Sequence, residues 1–392
     1  MPRSLLSHLS LRSWLERWSQ EAIEQAEAIG LNVTDEMRAS GWIGAEPASA
    51  PAVAAAEARL GRALPPSLRE FYAVTDGWPV LSMDFGGIRP VGEIGWTRDL
   101  DPDLIEAWPA DQEPDADDGA PLLRRSLLLN TGPDRFLLDP AHVEQNEWAA
   151  VSFTSWYPGA GEQQPSFRAE LEDHYATFVN FDVPRSQTRA EIADQVEHAY
   201  RSLLAGRREE EDIFEQAGRF GDERAQVLAI QVNALTGAPA DHSDLIWRSR
   251  AVTGDAAVQN DLLPLLVIGA LDPAAGEEHR MTSFSQSAPP EFASQARQLA
   301  VRYRFERGLT ASFSRTPVFA RAVDQARALI QAGRENEAFD VVLGGLRPWT
   351  PESGMHLAPL GLLWDKELGP LMTAERRRRL LASPRATELR SS

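Results

Sequence analysis

The residues that most often carry out chemistry in proteins are scattered along this chain. No two of the seven histidines are spaced at i, i+4, and no H-E-x-x-H motif occurs, so no zinc site of that kind is predicted. The serines of "SFTSW" and "SFSQS" lack a nucleophile-elbow context, and "PGAG" at 158–161 lacks the third glycine of a dinucleotide fingerprint. Lys366, the single lysine, does not belong to a P-loop, and there is no cysteine. We therefore expect no enzymatic activity, no catalytic residues, no cofactor and no metal ligands.

The segment most suited to binding is 99–118, "DLDPDLIEAWPADQEPDADD". It holds nine acidic residues and no basic one, with Leu104, Ile105 and Trp108 interleaved. A flexible negative arm of this kind would attract a basic protein partner and then bury Trp108 in the interface. The candidate binding residues are Asp99, Asp101, Asp103, Glu106, Trp108, Asp111, Glu113, Asp115, Asp117 and Asp118. The alternative is a solvated insert without a partner, as charge runs usually are.

The overall charge points to the same class of partner. The chain of 392 residues has a formal net charge of −19, which disfavours binding to nucleic acid and to anionic membranes and favours basic proteins. The N-terminus lacks the features of a signal peptide, and no apolar run is long enough to span a membrane. We therefore expect a cytoplasmic protein. The preference for arginine over lysine in the sequence is typical of a GC-rich bacterium.

The hydrophobic spacing predicts helices and strands in a definite order. A leading amphipathic helix covers 5–29 and is expected to end at Gly30. Helices follow on either side of Pro65 and Pro66, and Gly77 is expected just past the end of the second. "SLLLNTGPDRFLLDP" predicts a hairpin, "WAAVSFTSW" a strand and "SFRAELEDHYATFV" a helix.

These elements predict two structural regions after the N-terminal helix of 1–40. Residues 41–182 form an α+β domain, and 188–392 are helical almost throughout, as a bundle or a solenoid-like array. "VDQARALIQAGRENEAFDVVLGGL" resembles a helix–turn–helix repeat of tetratricopeptide type, with Ala328, Leu329 and Ala338 as packing residues. The charged runs "RREEED" at 207–212 and "ERRRR" at 375–379 are expected to be solvated helix faces.

The stretch 60–78, "LGRALPPSLREFYAVTDGW", resembles the opening motif of the SMI1/KNR4 family, also called the SUKH superfamily. Later strand, aromatic and final-helix elements follow in "FLLDP" at 136–140 and "WYPG" at 156–159. The matching residues are Glu57, Leu60, Gly61, Leu64, Pro65, Phe71, Tyr72, Asp76, Gly77, Trp78, Trp148, Trp156 and Phe167. Most of them are expected to be structural, and Trp148, Trp156 and Tyr157 to pack in the core or in turns.

The resemblance covers about 41–182 and implies a mixed sheet flanked by helices, without a known enzymatic activity. Domains of this family are best known as immunity proteins that neutralise bacterial toxins, and a fungal member acts as a regulatory scaffold. The sequence therefore predicts a non-enzymatic immunity protein that neutralises a basic toxin. The alternative is a regulatory scaffold that recruits partners through its helical C-terminal half.

Overall fold

A computed structural model of the chain describes residues 5–82, 84–108, 119–154, 159–183, 185–237, 255–270, 290–313 and 316–386. The chain divides into two compact units. The first, which we call the α+β unit, spans Leu6–Thr188. The second, the helical unit, comprises Arg189–Ser392 together with the first five residues.

The helices of the α+β unit form where apolar spacing and capping residues agree. Ser10, Ser49 and Ser166 each accept a hydrogen bond from the first turn of the helix that follows them. The helices are α1 (Leu11–Glu24), α2 (Asp35–Ser40), α3 (Ala50–Leu60), α4 (Pro66–Val74), α5 (Thr97–Leu100), α6 (Pro102–Ala107), α7 (Ala120–Arg125) and α8 (Phe167–Asp182).

The strands of this unit form two antiparallel sheets. A hairpin of β1 (Trp78–Ser82) and β2 (Gly86–Ile88) makes the smaller sheet. The larger sheet has the order β3-β4-β5-β6-β7, with β3 (Gly95–Trp96), β4 (Leu127–Leu128), β5 (Arg135–Glu144), β6 (Glu147–Thr154) and β7 (Gly159–Ala160). Every strand pair within the described residues is antiparallel. The mixed sheet implied by the family resemblance is therefore not found among the residues that the structure describes, although the α+β class is confirmed.

The large sheet is covered by helices on both faces, because its strands alternate between two apolar sets. Phe136 on one face stacks on Phe167 of α8, with ring centroids 5.4 Å apart. The opposite face carries Leu137, Val151 and Phe153, which form a buried cluster with Leu122, Leu123 and Leu128. The predicted hairpin and the predicted strand are confirmed as β4–β5 and β6.

The core between α1, β1 and α8 is aromatic. Trp18 of α1 lies 5.5 Å from Trp78, 4.9 Å from Tyr175 and 5.9 Å from Phe178, measured between ring centroids. The N-terminal helix therefore belongs to the α+β unit, whereas the sequence had set residues 1–40 apart. Its buried stripe was predicted correctly, but the helix ends at Glu24 and turns lead from there to Gly30.

The regular elements described in the helical unit are helices. Asp222 caps one of them, and Gly237 ends it in the left-handed conformation, as its sequence predicts. The helices are α9 (Gln187–Leu204, which begins at the boundary of the units), α10 (Ile213–Arg219), α11 (Glu223–Thr236), α12 (Ala256–Ala270), α13 (Pro290–Glu306), α14 (Pro317–Gln331), α15 (Glu335–Leu346), α16 (Gly361–Trp364) and α17 (Ala374–Leu381), with a 3₁₀ turn at Gly369–Leu371.

Helices α14 and α15 form the predicted helix–turn–helix. The buried residues of α14 are Phe319, Val323 and Ala326, which lie at i, i+4 and i+7 and so share one face. Ala338 of α15 is buried as predicted, but Ala328 is exposed because it lies outside that stripe.

An irregular segment, 350–360, is held on the helical unit by polar side chains. The amide of Gln231 donates to the Met355 carbonyl at 2.6 Å and accepts from the Leu357 N–H at 2.8 Å. The Asp261 carboxylate accepts from the Leu360 N–H at 3.0 Å. Two further side chains donate to carbonyls of this segment, Tyr200 and Arg224. These bonds replace the backbone pairing that a helix would supply.

Candidate protein-binding surface

The family-motif residues of the α3–α4 region lie in the interior or at helix ends. Glu57 accepts a hydrogen bond from the Leu64 N–H at 2.8 Å and from Arg69 Nε at 2.7 Å, which fixes the turn between α3 and α4. Gly61 ends α3 in the left-handed conformation, and Pro65 precedes α4. The buried members of the motif are Leu60, Leu64, Pro65, Phe71, Tyr72, Gly77, Trp78, Trp148 and Phe167.

Asp76 and Gly77 organise the turn that leads from α4 into β1. The Asp76 carboxylate accepts from the Val91 N–H at 2.6 Å. Helix α4 ends at Val74 with Thr75 as its C-cap, so the prediction that Gly77 directly follows the helix end was wrong. Gly77 has a φ of +111°, and a Cβ there would lie 3.0 Å from the Ile88 carbonyl oxygen. Both residues are structural.

Trp148 lies inside the fold rather than on a binding surface. Its ring stacks on Trp96 with centroids 6.4 Å apart, and the Arg62 guanidinium lies 5.9 Å from the ring centroid. The other aromatic residues of this group, Trp156 and Tyr157, lie outside the described residues.

The aspartate of "FLLDP" is the centre of a charged cluster. Asp139 is buried and accepts two hydrogen bonds from Arg125 of α7, at 2.8 and 2.7 Å. The Ala141 N–H donates to it at 3.0 Å, and His142 Nδ1 lies 2.8 Å away. Burial alone would raise the pKa of Asp139, but the bonds from Arg125, Ala141 and His142 together hold that pKa below its usual value. The carboxylate fastens α7 to β5 and has no proton to exchange near neutral pH.

A second polar cluster, which sequence reasoning missed, lies between β6 and α8. The Ser152 hydroxyl donates to Glu170, and His174 Nε2 lies 3.4 Å from Ser152 Oγ and 3.8 Å from Glu170 Oε1. Complete burial lowers the pKa of His174 to about 3. The Glu170-x-x-x-His174 spacing, which puts both side chains on one helix face, was the available signal. Glu170 and Ser152 approach the same imidazole nitrogen, so this is not the relay of a serine nucleophile, in which the carboxylate holds the other nitrogen.

The first half of the acidic segment is folded. Residues 97–107 form α5 and α6, and the partly buried Leu104, Ile105 and Trp108 pack against the cluster that includes Phe153. The Trp108 ring lies 5.2 Å from the Phe153 ring in an edge-on contact. The prediction of a flexible arm with a free aromatic anchor was wrong for 99–108, because these apolar side chains cover one face of the large sheet.

Asp101 is also committed to the fold. Its carboxylate accepts from the Leu104 N–H at 3.2 Å, which caps α6, and from Arg135 Nε at 2.7 Å. The predicted binding residues Asp111, Glu113, Asp115, Asp117 and Asp118 lie outside the described residues.

Three predicted binding residues remain at the surface, Asp99, Asp103 and Glu106. We call them, with the 41% exposed Leu100, the acidic surface of α5 and α6. Arg98 lies 3.8 Å from Asp99, and both side chains are well exposed, so the pair leaves most of the negative charge available.

The charge of the protein is concentrated in one unit. Leu6–Thr188 contains 30 Asp and Glu against 13 Lys and Arg, a net charge of −17. The rest of the chain contains 28 acidic and 26 basic residues, a net charge of −2. The unit that carries the acidic surface thus holds nearly all of the −19.

The chain matches no protein-family model, no curated protein and no solved structure. The SMI1/KNR4 resemblance therefore stays a prediction that depends on the motif residues. Within the described ranges, no His, Asp and Glu side chains are grouped to hold a metal ion. In the same part of the chain, none of the helices has the length and apolar character needed to cross a bilayer.

Proposed function

We propose that this is a non-enzymatic, protein-binding immunity protein of SMI1/KNR4 type, which neutralises a basic toxin through its α+β unit. The observation that carries the proposal is the concentration of charge in that unit, −17 for Leu6–Thr188. A field of one sign attracts a basic partner over a distance and raises the rate of encounter.

The acidic surface of α5 and α6 supplies the local part of this recognition. Asp101 and Asp139 are engaged in hydrogen bonds within the fold, whereas Asp99, Asp103 and Glu106 face solvent. Leu100 is half-exposed among them and offers an apolar contact that a partner can desolvate. Charges around a small apolar centre favour fast and salt-sensitive association.

The first experiment is capture of binding proteins on the purified full chain from a lysate of its source cells, at low and at moderate salt. We expect one basic protein that is lost as salt is added, that inhibits growth when expressed alone, and that no longer inhibits growth when the chain is coexpressed. Capture of proteins that are not toxic, or toxicity that the chain does not relieve, would contradict the immunity role.

The second experiment measures association of that captured protein with a variant that carries Asp99→Asn, Asp103→Asn and Glu106→Gln. We expect association to slow roughly tenfold at low salt with little change in dissociation, and the difference to shrink as salt screens the charges. The matched control removes three exposed carboxylates of the helical unit instead, with Asp194→Asn, Glu209→Gln and Glu375→Gln. Equal slowing by both triple variants would show that the α5–α6 surface has no special role.

The alternative function is a regulatory scaffold that recruits a protein through the helical unit. It is favoured by a separate observation, the exposure of Val301 and Phe305 on α13. A nearly neutral unit with exposed apolar side chains suits a partner other than a basic toxin.

A further inference from the structure

Helices α12 and α13 enclose a groove of about 280 Å³ on the helical unit. Four side-chain amides line it, together with two leucines: Gln259, Asn260, Gln295, Gln298, Leu263 and Leu299. The Gln259 amide donates to Gln295 Oε1 at 3.0 Å, which links the two walls. Each side-chain amide offers both donors and acceptors, so the groove matches the N–H and C=O groups of a peptide backbone.

Pro264 adds a backbone acceptor to the same wall. It lies inside α12 and also lines the groove. Because proline has no N–H, the carbonyl of Asn260, four residues earlier, lacks its helical donor. Asn260 and Pro264 both line the groove, so this carbonyl lies on the groove side of α12.

An exposed apolar pair lies beside the groove. Val301 is 67% exposed and Phe305 is 89% exposed, and their i, i+4 spacing on α13 makes them neighbours. An i, i+3 spacing places Val301 next to Gln298 of the groove wall, so the polar groove and the apolar pair form one continuous surface.

The charges around this surface are mainly positive. Arg302 lines the groove and pairs with Glu306 at 2.9 Å on the exposed side of α13. Arg297 and Arg307 are exposed near the two ends of the same stretch. The protein as a whole has a net charge of −19, but arginines border this apolar surface. The surface is therefore complementary to an acidic ligand.

We propose that the α12–α13 groove binds an extended, acidic peptide segment of a partner protein. The amides and the Asn260 carbonyl pair with its backbone, its large apolar side chain packs on Val301 and Phe305, and its carboxylates face the arginines. The groove volume is at the lower edge of the roughly 300–1,000 Å³ usual for ligand pockets, so it holds a short segment rather than a folded domain. This inference deepens the scaffold alternative and rests on it, and it does not depend on the acidic surface of α5 and α6.

The test is selection of a random phage-displayed library of peptides of about twelve residues on the full chain, followed by Kd measurements on synthesised winners. We expect enrichment of peptides that combine Asp or Glu with a large apolar residue. The double variant Val301→Ser, Phe305→Ser is expected to raise Kd at least about tenfold, since such anchors dominate binding. Gln259→Ala with Gln298→Ala is expected to raise it roughly three- to tenfold through lost hydrogen bonds.

The control is Val318→Ser, at a 50% exposed valine on α14, which is expected to leave Kd unchanged. Thermal unfolding of each variant confirms that it is folded, and the acidic-surface triple variant is expected to bind the peptides normally. No acidic enrichment, or Kd values insensitive to the groove substitutions, would overturn the proposal. Self-association of the chain that Phe305→Ser abolishes would also overturn it, because it would assign the surface to a second copy.

Discussion

The two units of this protein differ in what holds them together and in what they show to solvent. The α+β unit is built on aromatic packing around Trp18 and carries almost all of the negative charge. The helical unit is nearly neutral, and its 350–360 segment is fixed by polar side chains such as Gln231 and Asp261. The negative charges of the α+β unit repel one another strongly. The same unit has the core richest in aromatic residues, and the burial of that apolar surface can offset the repulsion.

The largest effect is expected from Trp18→Ala. Removal of a fully buried indole that contacts four other rings should lower the free energy of unfolding of the α+β unit by about 3–5 kcal/mol. Thermal unfolding followed by near-ultraviolet circular dichroism measures this loss. We expect the circular dichroism signal of the helices in 189–392 to persist at temperatures at which the near-ultraviolet signal of the aromatic residues is lost. Simultaneous loss of both signals would contradict the division of stabilisation between the units.

The next effect, in the helical unit, is expected from Gln231→Leu. The substitution keeps the volume but leaves the Met355 carbonyl and the Leu357 N–H without their partner. Two unsatisfied backbone groups, one buried and one partly buried, should cost about 2–4 kcal/mol and raise hydrogen exchange in 350–360. Gln325→Leu, at an exposed position of α14, is the control. If the two variants unfold alike, the polar side chains do not hold the segment.

The smallest effect concerns acid and belongs to the α+β unit. In the folded chain the pKa of His174 is lowered to about 3, whereas in the unfolded chain its pKa is about 6.5. The unfolded state therefore binds more protons below pH 6.5, so the free energy of unfolding is intact above that pH and falls below it, by about 1.4 kcal/mol per pH unit.

Denaturant unfolding between about pH 7 and pH 5 measures that loss. His174→Gln should remove this part of the slope, and His198→Gln, at an exposed histidine, should not. An unchanged slope in His174→Gln would show that His174 is not the group that titrates.

Much of the α+β fold could be predicted because its apolar spacing is regular. The buried stripe of α1, the Pro65–Pro66 start of α4, the β4–β5 hairpin and the stripe of α8 all follow from local periodicity and punctuation. The helices at 97–107 could not be predicted, because their acidic composition is typical of a solvated arm. These helices fold because Leu104, Ile105 and Trp108 cover a face of the large sheet. That contact is not visible in the sequence.

The candidate sites were predicted less completely. The sequence identifies the acidic residues but does not separate Asp101, which pairs with Arg135, from the exposed Asp99. It gives no sign of the 350–360 segment, whose partners lie about 100 or more residues earlier in the chain. The α12–α13 groove likewise depends on how two helices pack against each other, which local periodicity does not specify.

The two-residue length of β3 and β7 has a consequence for assembly. These are the edge strands of the large sheet, and each offers too few unpaired N–H and C=O groups for another strand to add on. The large sheet should therefore resist edge-to-edge pairing through β3 and β7 when the protein is crowded. A protein that binds the large sheet at β3 or β7 has to recognise side chains rather than extend the sheet.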